Sequence, residues 1–147
     1  QTIKNLKSIL GDDAVDIQHI GSTAIPAIKA KPIIDIAVGV TDFEKIMSYN
    51  EQLQKDGIFY RGSDVEDQIL YVMGDMEKDI RTHHIHIVKW NGTEWKNYIH
   101  FRYYLNDNEN MALQYQRVKE ELESKYADNR GLYTKGKKDI IDIILNN

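Results

Sequence analysis

The stretch that decides the fold is His19-Ile20-Gly21-Ser22-Thr23-Ala24-Ile25-Pro26-Ala27-Ile28-Lys29-Ala30-Lys31-Pro32-Ile33-Ile34-Asp35-Ile36-Ala37-Val38-Gly39-Val40. It opens with the end of an alternating run, Val15 to Ile20, which predicts a strand. Gly21-Ser22 then starts a turn-rich piece that Pro26 closes. Ile33 to Val40 is dense in β-branched residues and predicts a central strand buried on both faces. Pro32 suits its first position, where no ladder donor is required. Asp35 is the anomaly in that strand, because nearly every neighbour is apolar. A buried carboxylate without a partner costs several kcal/mol, so it must meet a cation, a donor or a cleft.

The turn upstream gives Asp35 a chemical context. Gly21 lets backbone approach a phosphate closely, and the hydroxyls and amides of Ser22 and Thr23 can donate to its oxygens. Asp35 follows Ser22 by 13 positions. A carboxylate on the next strand can then hold a divalent cation, Mg²⁺ or Mn²⁺, bridging those phosphates. Lys29, Lys31, Arg61 and Arg81 are candidate phosphate clamps. Lys31 lies between the Gly-Ser turn and Asp35, and Arg81 opens a strand rich in histidine. That strand, His84 to Trp90, puts His84 and His86 on one face and Ile85 and Ile87 on the other. Two imidazoles with Asp35 would make a set of two histidines and one carboxylate, which suits Fe, Mn or Zn more than Mg. The alternative reading is a hydrogen-bonded His pair and an Asp35 satisfied by Arg or backbone. His19 and His100 read as structural or surface residues.

Outward from this stretch, Thr2 to Leu10 reads as a short helix stopped by Gly11. Thr41-Asp42-Phe43-Glu44 has the capping-box pattern, with Thr41 as cap and one helix running on through Leu53. Gly57 ends it. Ile58 to Arg61 and Gln68 to Met73 read as strands. From Thr93 the chain is helical. Trp95, Tyr98 and Ile99 begin one helix, Met111, Tyr115, Val118, Leu122 and Tyr126 line a second, and a third runs from about Leu132 to Leu145. Most of the back-half aromatics fall at helical spacing and read as core. The Arg117 to Lys138 stretch mixes both signs of charge and reads as a solvated face. The expected fold is α+β: a short mixed sheet, helices packed on one side of it and a helical C-terminal half.

Composition narrows the function. The chain has 147 residues, a size for one domain over 1–147. It has no Cys, which excludes disulfides and thiolate metal sites and fits a cytoplasmic home. With 19 basic and 23 acidic side chains the formal charge is -4, which argues against general nucleic-acid binding. No apolar run reaches the roughly 20 residues of a membrane span, and no signal peptide is seen. The chain opens at Gln1 rather than Met, which fits a fragment or a processed chain. The oligomeric state is not legible.

The quoted stretch resembles the signature of the GrpB-like family. Arg81-Thr82-His83-His84-Ile85-His86, Trp95-Lys96 and Tyr133-Thr134-Lys135-Gly136-Lys137 resemble it too, over nearly the whole chain. That family is similar to the nucleotidyltransferase superfamily, whose members transfer a nucleoside monophosphate to a hydroxyl. The resemblance implies a nucleotidyltransferase fold, a nucleotide or phosphorylated small molecule as ligand, and Ser22 and Asp35 as catalytic residues. Gly21, Ser22, Thr23, Lys31 and Arg81 would bind phosphate. The superfamily pattern places a second Asp two residues after the first, so that both clasp two cations. Here that position is Ala37. Three readings therefore stand: a nucleotidyltransferase, a ligand-binding or accessory domain that keeps the fold without catalysis, and a metal-dependent enzyme built on Asp35, His84 and His86.

Overall fold

A computed structural model describes residues 1–28, 33–62 and 68–146. Five strands form one mixed sheet: β1 (Asp16–Ile20), β2 (Ile34–Val40), β3 (Phe59–Gly62), β4 (Gln68–Asp75) and β5 (Ile80–Lys89). The spatial order is β1-β2-β5-β4-β3. Only the β2–β5 pair is parallel; β1–β2, β5–β4 and β4–β3 are antiparallel. The expected central strand is thus β2, with a ladder on each side. Pro32, expected at its start, lies outside the described residues, as do Lys29 and Lys31.

Alternation along β2 sorts its side chains between two environments. Ile36, Val38 and Val40 join Ile17, Ile85 and Ile87 in one cluster with Leu6, Leu10, Ile46 and Leu53. Those last four come from α1 (Thr2–Leu10), α2 (Phe43–Met47) and α3 (Asn50–Lys55). Burying each such side chain stabilises the fold by roughly 1.5–3 kcal/mol. Asp35, Ala37 and Gly39 point the other way. There Ala37 packs with Ile20, Val88 and Trp95. A Cβ on Gly39 would stand 2.7 Å from Trp90 Cε3 and 3.3 Å from Trp95 Cε3. The missing side chain is what lets both indoles approach the strand closely.

The helical C-terminal half stands on this second side. It comprises α4 (Thr93–Asp107), α5 (Glu109–Lys125) and α6 (Arg130–Leu145). Phe101, Leu105, Ala112, Tyr115, Ile140 and Ile144 close on Ile25 and Ile28 from the turn after β1. The back-half helices pack on one side of the sheet, as the pattern predicts, while the three short helices cover the opposite face. Gly136 lets α6 approach α5 closely, since a Cβ there would meet Leu122 Cδ2 at 2.5 Å. No helix among the described residues is long and apolar enough to cross a membrane.

Two local expectations are corrected. The cap before residue 43 is Asp42, not Thr41: its carboxylate accepts from the Lys45 N–H at 3.1 Å. The helix expected through Leu53 is two, because Ser48 Oγ donates to the Lys45 carbonyl at 2.5 Å and the chain turns there. Gly57 does end the second, at φ +81°.

A His-His-Asp cluster as candidate metal centre

The sheet register builds the site. In the parallel β2–β5 pair, Asp35 aligns with His84 and Ala37 with His86. All three functional side chains lie on the face turned to the C-terminal helices. His86 Nε2 stands 3.1 Å from Asp35 Oδ1, and His84 Nδ1 stands 3.7 Å from the same oxygen. One ligand atom from each residue lies within 4.8 Å of the other two. Two ligands about 2.1 Å from a tetrahedral cation are themselves about 3.4 Å apart, so this spacing fits a shared ion. Ile85 and Ile87 point into the opposite core, as alternation predicts. His83 also turns that way, toward the Thr2 hydroxyl at 3.3 Å.

Asp35 is not sealed, and among the described residues no arginine pairs with it. Its side chain keeps 29 % of its exposure at the open end of β2. It faces a cleft of about 640 Å³. Gly21, Ser22 and Thr23 form one wall of that cleft, and His84 and His86 share its floor. Gly21 is required twice over. It has φ +73° and ψ -170°, and a Cβ there would stand 2.7 Å from Asp35 Oδ2. The turn and the carboxylate therefore touch because one residue has no side chain. Ser22 and Tyr115 of α5 both line the cleft. Thr23 Oγ1 is 2.8 Å from His19 Nε2, so His19 braces the turn from β1 as a structural residue.

Burial favours the neutral imidazole of His84. It holds His84 below the ordinary value; Asp35 opposes this, while His86, Arg81 and Lys137 add to it. Neutral imidazole is the form that ligates a cation. His84 Nε2 is buried with no hydrogen-bond partner. Burial likewise lowers His19, with Asp35 opposing and Arg102 assisting. Tyr98 and Tyr115 are both pushed up to about 12, chiefly by burial, so both stay protonated as hydrogen-bond donors.

Of the cations expected, Arg81 does not line the cleft but acts on His84 through charge. Lys31 falls outside the described residues. The basic wall instead comes from Lys119 of α5 and Arg130, Lys137 and Lys138 of α6. The Arg117 to Lys138 stretch, read as a solvated face, thus also supplies one side of the cleft. Nothing in that stretch signals this, because its position over Asp35 is set by how three helices pack. Gln68 was missed as well. Its amide nitrogen lies 2.7 Å from His86 Nδ1, and a lone Gln at the start of a strand carries no sequence signal.

Ala37 clarifies the missing second carboxylate. It is fully buried in an apolar cluster with Ile20, Val88 and Trp95, with His86 beside it in register on β5. A second carboxylate at that position would be buried in this cluster, and the histidines of β5 occupy the neighbouring strand.

Known proteins share this architecture. A family model described as GrpB protein matches residues 1–147. The glutamate-rich protein GrpB of Alkalihalophilus pseudofirmus is 38% identical over 96% of this chain and 83% of its own length. The UPF0157 protein YqkA of Bacillus subtilis is 32% identical over 91% of this chain, which spans only 38% of YqkA. The crystal structure of conserved protein GrpB from Enterococcus faecalis superposes with a TM-score of 0.84 at 31% identity, covering 99% of this chain and 88% of that one. A solved cytoplasmic RNA terminal U-transferase superposes with a TM-score of 0.53 at 16% identity, over 80% of this chain and 35% of that one. That likeness supports the nucleotidyltransferase-like fold and nothing finer. By its sequence over the full length and by its structure, the chain belongs to the GrpB family.

Proposed function

We propose that the cleft is a divalent-metal site that takes a nucleotide or another phosphorylated small molecule. Asp35, His84 and His86 are the metal ligands. The wall of Lys119, Arg130, Lys137 and Lys138 receives the phosphate. The observation that carries this reading is the convergence of three ligand atoms within 4.8 Å on the floor of an open cleft. The donor set suits Mn²⁺, Fe²⁺ or Zn²⁺ better than Mg²⁺. A bound cation would supply positive charge to a phosphoryl oxygen. The Ser22 hydroxyl, beside Gly21 in the opposite wall, donates to the same ligand.

Metal analysis of untagged protein, followed by Mn²⁺ and Zn²⁺ titration, tests the reading. Wild type takes up about one ion. Asp35→Ala, His84→Ala and His86→Ala each weaken uptake at least tenfold, while remaining folded. Protein that is isolated metal-free and takes up neither ion rules the site out.

Nucleotidyl transfer is a second reading, favoured by the fold likeness to the U-transferase. It uses the same cleft, with Asp35 and Ser22 as the catalytic pair. Incubation with each nucleoside triphosphate, Mn²⁺ and hydroxyl acceptors tests it. Accumulated nucleotidylated product supports transfer. Tight binding without turnover supports a ligand-binding domain instead.

A further inference from the structure

We propose that Gln68, steadied by Tyr98, sets which nitrogen of His86 carries the proton, and so switches that ring between pairing with Asp35 and ligating a cation. The inference rests on the reading of His86 as a metal ligand for its second half only. Gln68 Nε2 lies 2.7 Å from His86 Nδ1. An amide nitrogen only donates, so Nδ1 must accept. A neutral imidazole has one donor and one acceptor, so the proton sits on Nε2. Nε2–H then donates to Asp35 Oδ1 at 3.1 Å. In this arrangement Nε2 has no lone pair left for a cation.

Ligation through Nε2 needs the other tautomer, with the proton on Nδ1 facing an acceptor. Turning the Gln68 amide by half a turn provides that acceptor, because Oε1 replaces Nε2. Such an outer partner fixes the tautomer of a ligating histidine and tunes its basicity. Tyr98 permits both orientations. Its hydroxyl both donates and accepts, and it lies 3.2 Å from Gln68 Nε2 and 3.4 Å from Oε1. Its ring also packs on that of His86 at 5.4 Å, which limits rotation of the imidazole. Gln68 is therefore a positioning residue, acting through His86.

The tautomer is read directly by long-range proton–nitrogen NMR correlation on metal-free protein labelled with ¹⁵N-histidine, at pH 8.5. Wild-type His86 is expected as Nε2–H. Gln68→Glu is expected to carry a proton on Nδ1 without any metal, beside the one Asp35 holds on Nε2, because a carboxylate only accepts. Gln68→Leu is expected as a mixture, and it covers the case in which the Glu variant does not fold. The same His86 tautomer in wild type and in every folded variant overturns the proposal. Zn²⁺ titration then tests the second half. Wild type converts to Nδ1–H on saturation, and Gln68→Leu binds about 10–100-fold more weakly. Zn²⁺ that does not bind wild type removes the metal reading, yet leaves the metal-free tautomers to decide the role of Gln68.

Discussion

Replacing Gly21 by Ala tests whether the turn and the carboxylate are one unit. The backbone at φ +73° and ψ -170° is a region that only glycine occupies without strain. Forcing an Ala into it costs about 1–3 kcal/mol. The new Cβ would also stand 2.7 Å from Asp35 Oδ2, 3.1 Å from Asp35 Cβ and 3.2 Å from Cγ. The oxygen can swing away, but the Cβ is tied to a strand with a ladder on each side. That overpacking adds roughly 1–3 kcal/mol. Gly11→Ala is the control. Gly11 has φ +56° and ψ -134°, and nothing lies within 4 Å of its Cβ position. Both substitutions restrict the unfolded chain equally, so that contribution cancels. Urea unfolding, followed by the fluorescence of Trp90 and Trp95, should show Gly21→Ala less stable than Gly11→Ala by about 1–3 kcal/mol. Pairing Gly21→Ala with Asp35→Ser should recover part of this excess, a non-additivity expected of touching residues. Equal losses in the two single variants, or a strictly additive double variant, would refute the reasoning. Mn²⁺ uptake should fall in Gly21→Ala and hold in Gly11→Ala.

Two further outcomes follow from the same geometry. Ala37→Asp, which writes the second carboxylate of the two-cation pattern into β2, should destabilise the protein by several kcal/mol rather than create a second metal site, because it buries a charge in the apolar cluster under Trp95 with only His86 beside it; urea denaturation and metal stoichiometry check both parts. Burial lowers the pKa of His19 in the folded protein, so the unfolded chain binds the extra proton first. Its contribution to stability is therefore complete above about pH 6.5, the ordinary imidazole value, and is lost as pH falls toward the lowered folded value. His19→Gln should flatten the pH dependence of the unfolding midpoint between pH 7.5 and 5; an unchanged slope would show that His19 titrates alike in both states.

The strands and helices were legible because the burial that orders them is periodic. The run from Ile33 to Val40 contains an interior strand, and Met111 to Tyr126 faces the core at helical steps. Asp35 stood out because an apolar strand has no other use for a carboxylate. His84 and His86 were visible as a pair through the two-residue period of a strand. Register slips of one residue escaped, as at Asp42, where two adjacent side chains can cap the same helix. The split at Ser48 escaped too, because a hydroxyl competing for a backbone carbonyl leaves no mark in hydrophobic spacing.

What the amino-acid sequence determined alone was the set of local surfaces: which face of each strand is apolar, where Gly21 allows a left-handed turn, and which residues carry ligating atoms. What the tertiary structure decided was adjacency. The parallel pairing of β2 with β5 joins Asp35 to His84 and His86 across about fifty residues of chain (35 to 84 and 86). The packing of α5 and α6 brings Lys119 and Lys137 over that floor, and Gln68 reaches His86 only because β4 lies beside β5. Such contacts depend on register and helix packing summed over the whole core, and no single segment encodes them.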